Sequence, residues 1–143
     1  MSKIKTPKPP AGNPSISNAK QQAEQKATEL INFSFKYLDN QHHKFTYGSH
    51  NGGYFVEVIN RIKEICKLTK LELLANRSAA LRAHPITWNS TSEERFGFPK
   101  EDEIVDTPYQ FSIASNEHGR VHGFFIYNTF YVVWFDKNHQ LYP

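Results

Sequence analysis

Cysteine is nearly absent from this chain: Cys66 is the only one in 143 residues. A single cysteine forms no internal disulfide and builds no cysteine-rich metal site. Long hydrophobic runs are also missing. The longest, Phe130 to Phe135, has the length of a buried strand, not the roughly 18 residues of a membrane span. The charged start, Met1 to Pro10, has no apolar stretch behind it and does not read as a secretory signal. There is no Gly-rich phosphate loop and no paired-carboxylate signature. These absences point to a soluble chain suited to a reducing cytoplasm. What the sequence does have is aromatic mass: 11 Phe, 7 Tyr and 2 Trp, enough rings for a core despite sparse aliphatics.

Positive charge is scarce once the chain is divided. Residues 1–30 hold five Lys against two Glu, whereas residues 31–143 hold 12 Lys and Arg against 12 Asp and Glu. The formal excess of +3 therefore sits in the N-terminal segment. A neutral body argues against a broad nucleic-acid surface, unless folding gathers its cations on one face. All seven His lie in the body, so its positive potential rises below about pH 6.5.

The length suits one domain. Residues 1–16 carry four of the eight Pro and few apolar residues, and read as a disordered arm before a single domain over 17–143. Ser17 is placed to cap a helix over 18–31 whose apolar face is thin: Ala19, Ala23, Ala27 and Leu30 or Ile31. Phe33 to Tyr37 alternates like a half-buried strand, and Lys44 to Tyr47 reads as a short returning strand. The clearest helix carries Phe55, Val58, Ile59, Ile62, Ile65 and Cys66 at spacings of three and four. Thr69 to Glu72 has the capping-box pattern, predicting a second short helix with Leu71 and Leu74, running as far as Ala79 or Leu81. Cys66 lies on the apolar stripe, as a core thiol or a reactive one.

His84-Pro85 starts an extended stretch, because a residue before proline avoids the helical region. Thr91 to Glu94 is placed to cap one helical turn, and Pro99 to Pro108 is an acidic loop. The last third alternates as a β-meander: Tyr109–Ile113, Arg120–Ile126 and Phe130–Phe135, the last apolar on both faces and therefore central. The fold class is α+β, an antiparallel sheet of at least four strands packed by one main amphipathic helix, with an extra N-terminal helix.

The stretch from Tyr109 to Tyr142 resembles the RelE/ParE superfamily of small bacterial toxins. It has a strand, a short loop ending at Gly119, and a strand opened by Arg120. A hairpin at Tyr127-Asn128, the apolar strand and the polar loop Asp136-Lys137-Asn138-His139 with Tyr142 follow. Members of that superfamily are shorter and strongly basic; this chain has a neutral body and an extra segment, Leu81 to Thr107. The resemblance implies metal-independent cleavage of messenger RNA, in which a 2′-hydroxyl attacks the adjacent phosphorus. That chemistry needs a base, cations for the phosphate and an acid for the leaving oxygen.

Arg120 matches the strand-opening arginine and would clamp phosphate, or else pair with Glu117 or another acid. His122 shares its strand face, as part of a site rim or as a hydrogen-bonded edge histidine. Lys137 and His139 sit in a loop on a rigid strand, as a catalytic loop or an ordinary hairpin turn. Tyr142 would donate to phosphate or stack on a base, or pack at the edge. Arg82, His84 and Trp88 add a cation and a stacking ring for substrate, or Trp88 pins the loop to the sheet. His42-His43 lacks supporting ligand spacing, so neither a metal nor another cofactor is expected.

Two functions fit these residues. One is a RelE-like endoribonuclease of a toxin–antitoxin or phage-defence locus, acting on messenger RNA at the ribosome and held by an antitoxin. The other is a non-catalytic protein-binding module on the same fold. Convergence of Arg, His and Tyr at one end of the meander favours the first; the neutral body favours the second.

Overall fold

Asn51, in extended conformation, accepts a hydrogen bond from the Tyr54 amide at 2.9 Å and so starts α1 (Gly52–Ile65). In the computed structural model, which describes residues 18–21, 29–76, 78, 81–114 and 117–143, the buried face of α1 is Tyr54, Val58 and Ile65. Phe55 and Ile62 pack partly against it. Ile59, expected on this stripe, is 59% exposed. Each residue turns a helix by about 100°, so Ile59 falls outside the face centred on Val58.

Thr69 forms the predicted capping box: its side chain accepts from the Glu72 amide, and Glu72 accepts from the Thr69 amide. The helix it starts, α2 (Lys70–Ala75), ends before the expected Ala79 or Leu81. It buries Leu73 and leaves Leu71 exposed.

Five strands make one sheet: β1 (Asn32–Ser34), β2 (His84–Pro85), β3 (Pro108–Ala114), β4 (Glu117–Ile126) and β5 (Thr129–Asp136). Their order is β1-β5-β4-β3-β2. The meander β3-β4-β5 is antiparallel as expected, but β1 runs parallel to β5, so the sheet is mixed. β5 lies between β1 and β4, and its inner residues are buried, which explains its continuous apolar run.

Lys44–Tyr47 is not the expected strand. Phe45 closes a turn on the His42 carbonyl and stacks on Trp134, ring centroids 4.3 Å apart. Burial of that ring outweighs the alternating pattern. The helical turn expected at Thr91–Glu94 is instead a 3-10 turn at Trp88–Ser90, with Thr91 Oγ1 donating back toward the Trp88 carbonyl. A short helix, α3 (Glu101–Ile104), lies inside the acidic loop. Its Glu101 is buried and accepts from the Phe96 and Gly97 amides.

Both sheet faces are covered. On one, α1 and α2 pack on Phe111, Ile113, Val121 and Phe130. On the other, the turn at Phe45, the 81–107 segment and the C-terminal residues bring Phe45, Ile86, Phe96 and Leu141 onto Phe124 and Trp134. The arm expected over 1–16, the cap expected at Ser17 and residues 22–28 of the expected helix lie outside the described residues, while 18–21 are helical. Among the described residues no helix is long and apolar enough to cross a membrane.

Candidate functional site

β3, β4 and β5 place one row of polar residues on the face away from α1. Register sets Ser112 opposite Arg120 and Arg120 opposite Asp136; one step along, Gln110 faces His122 and His122 faces Trp134. Alternation puts these side chains on one face, and the aromatic core continues it from Phe124 onward. The row ends in a cavity of about 370 Å³ lined by His84, Gln110, Arg120, Asp136, His139 and Tyr142.

Four strands, β2 to β5, and the loop after β5 supply these residues. β2 pairs with β3, His84 opposite Gln110, and so carries His84 to the sheet edge. The His84 Nδ1 lies 2.8 Å from the Pro85 carbonyl, which can only accept a hydrogen bond, so Nδ1 carries the proton and donates it to that bond. Nε2 is left as the acceptor for the Gln110 amide at 2.9 Å. The loop after β5 brings His139 and Tyr142. The Tyr142 hydroxyl accepts from the Thr87 amide at 2.9 Å, and Ser92 donates from N and Oγ to the Leu141 and Gln140 carbonyls. The C-terminal residues and the 81–107 segment are thus bound into one wall.

Arg120 is 9% exposed and makes no ion pair with any described carboxylate. Its Nη1 donates to the Gly119 carbonyl at 3.2 Å. Burial, and then Arg82, pull its pKa below the ordinary value, against the pull of Asp136. The guanidinium stays charged, a cation prepared for an anion. The His139 imidazole makes no hydrogen bond to the described residues, and burial, Arg120 and Arg82 lower its pKa despite Asp136. It is neutral at pH 7, a base rather than an acid. Its backbone is left-handed at φ 54°, as is that of Arg82 at φ 44°. Such strained residues are uncommon outside glycine and concentrate at functional sites.

His122 is not on the rim. It is fully buried, edge-on against the stacked Phe45 and Trp134 rings, one layer beneath the cavity. Its Nε2 lies 3.0 Å from Asp136 Oδ2. Burial lowers the His122 pKa despite Asp136. Burial alone would raise that of Asp136, but hydrogen bonds from His122 and from the Gln140 and Leu141 amides hold it below the ordinary carboxylate value. Lys137 points away: its Nζ sits 5.6 Å from the centre of the Tyr54 ring, on the α1 side. Trp88 packs on Phe96 and Trp134 and pins the 81–107 segment to the sheet. Arg82 acts on the pocket by its charge on Arg120 and His139.

The fold therefore gathers Arg120, His139, Tyr142 and His84, and leaves His122, Lys137 and Trp88 outside the cavity surface. It adds Gln110 and Asp136. The signal for Gln110 was a polar residue in a strand whose neighbours are all apolar or small, opposite His122 one strand over. Among the described residues no group of three or more His, Cys, Asp or Glu is arranged to hold a metal ion. A second groove, about 390 Å³ beside α1, is lined by Glu57, Arg61, Lys63, Glu64 and Lys67 and brings no histidine or tyrosine. The half-buried Cys66 is elsewhere, and burial raises its pKa, which disfavours the thiolate. Comparison with protein-family models, curated proteins and solved structures finds no match, so the site is read from its own geometry.

Proposed function

We propose that the chain is a metal-independent endoribonuclease whose active site is the Arg120 cavity, with messenger RNA as substrate. The observation that carries this reading is a buried guanidinium that pairs with no described carboxylate, sharing a cavity with a neutral histidine that bonds to no described residue. Arg120 binds the scissile phosphate and opposes the charge that grows on its oxygens. His139 takes the proton of the ribose 2′-hydroxyl. The 2′-oxygen forms a bond to phosphorus as the bond to the 5′-oxygen breaks. Tyr142, whose oxygen already accepts from Thr87, gives its proton to that leaving oxygen. The products are a 2′,3′-cyclic phosphate and a 5′-hydroxyl.

The test is incubation of the full chain with free and ribosome-bound messenger RNA, with and without EDTA. Cleavage that leaves cyclic-phosphate ends, survives EDTA and falls about 100-fold or more in Arg120→Ala is expected. Intact RNA overturns the reading. The second reading, a non-catalytic protein-binding module, then gains, and one feature favours it: Val56 and Ile59, adjacent on the outer face of α1, are 57% and 59% exposed.

A further inference from the structure

Asp136 lines the cavity wall and His122 lies behind it, and neither has a part in the reaction proposed above. We infer that they form a positioning pair: the buried His122 holds the Asp136 carboxylate in the one orientation that folds the loop carrying His139 and Tyr142 over Arg120. This inference rests on the ribonuclease reading for its kinetic consequences, but not for its geometry.

The argument starts from the acceptors of Asp136, which is 1% exposed. Oδ2 accepts from His122 Nε2 at 3.0 Å and from the Leu141 amide at 2.9 Å, and Oδ1 accepts from the Gln140 amide at 2.7 Å. The Asp136 carbonyl also accepts from the His139 amide at 3.4 Å. The loop from 136 to 141 is therefore wound on one residue. Two of the carboxylate's donors are the loop's own amides, which move with the loop and cannot by themselves fix where the carboxylate points. The third donor, His122, comes from β4 in the middle of the sheet. Its ring packs edge-on against the stacked Phe45 and Trp134 pair, at centroid distances of 6.0 and 6.1 Å. A rigid donor of this kind fixes the direction of the carboxylate, and through it the two amides. His139 lies between Asp136 and the anchored Gln140, with a strained backbone that needs such restraint. Tyr142 follows directly.

An unlinked carboxylate would be costly in this place, since burial opposes its charge. The polar pair is explained by the loop it organises, as a second layer of hydrogen bonds organises metal ligands and catalytic groups.

The experiment compares His122→Phe and His122→Gln in the full chain. Phenylalanine fits the aromatic slot and lacks the donor; glutamine puts an amide nitrogen near the position of Nε2. Two readouts are taken on folded protein. The first is the titration of the His139 ring by NMR, which needs no RNA. In the parent it titrates below 6.5; in His122→Phe it moves back toward 6.5 as the loop leaves Arg120, and in His122→Gln it stays near the parent value. The second is cleavage: kcat falls about tenfold or more in His122→Phe with KM little changed, and His122→Gln recovers most of it. If His122→Phe does not fold, His122→Asn, too short to reach Asp136, takes its place. An unmoved His139 titration with unchanged kcat in the folded variant overturns the pairing. Parent protein that cleaves no RNA overturns the ribonuclease reading, while the titration still decides the pairing.

Discussion

Arg120 and Asp136 face each other across β4 and β5 and do not form an ion pair. Asp136 commits its carboxylate to His122, Gln140 and Leu141. Among the described residues the guanidinium bonds to the Gly119 carbonyl alone, and it lines the cavity. A buried cation beside an occupied anion is costly for stability and useful for binding.

Arg120→Ala should therefore cost activity without costing stability. No ion pair is lost and a desolvated charge is removed, so the melting temperature should hold or rise. Arg120→Lys keeps the charge and loses the planar two-point donor, so cleavage should stay well below the parent. Thermal melts beside cleavage rates separate the two effects. A large drop in melting temperature for Arg120→Ala would mean that the guanidinium is a structural tie.

Stability should weaken on mild acidification. The pKa of buried His122 is lowered in the fold from 6.5, so the unfolded chain binds the proton first. The contribution is complete above about pH 6.5 and drains as pH falls below it, by at most about 1.4 kcal/mol per pH unit for one proton. His139 and His50 are lowered as well and act with the same sign. The lowered Asp136 adds a later loss, below its ordinary 3.8 and down through its folded value. Denaturant melts at pH 7.5, 6.0 and 5.0 read the slope, and His122→Phe should flatten it in part.

The acid limb of cleavage should lie below pH 6.5. His139 must be neutral to accept the 2′-hydroxyl proton, and burial with the nearby Arg120 and Arg82 keeps it neutral to lower pH than a free imidazole. A profile of kcat/KM against pH gives the midpoint. An acid limb above 6.5 would remove His139 as the base.

Gly119→Ala should disrupt both strand and site. Gly119 has φ 77°, and a Cβ there would collide with the Asp136 carbonyl oxygen. The backbone strain alone is worth about 1–3 kcal/mol, and the collision adds to it by pushing at the residue on which the loop is wound. A melt within about 1 °C of the parent would show that β4 can shift there without loss.

Much of this architecture is local and was legible in the residues. The capping box at Thr69 and Glu72, the helix around Val58, and the alternation that puts Arg120 and His122 on one face depend on near neighbours, and near neighbours are written in order along the chain. Alternation assigns a face and says nothing about depth. His122 is buried because Phe45 and the 81–107 segment, which arrive from distant parts of the chain, close over it and its hairpin partner Trp134. Lys137 is in the loop that was expected to matter, yet its backbone turn sends it to Tyr54 on the other face. His84 reaches Gln110 only because β2 pairs with β3, and β1 runs parallel to β5 because the chain crosses over through α1 and α2. The sequence by itself determined which residues could do chemistry and which strand faces carry them. Tertiary packing decided which of them meet, because burial and strand pairing are relations between segments that no local pattern encodes.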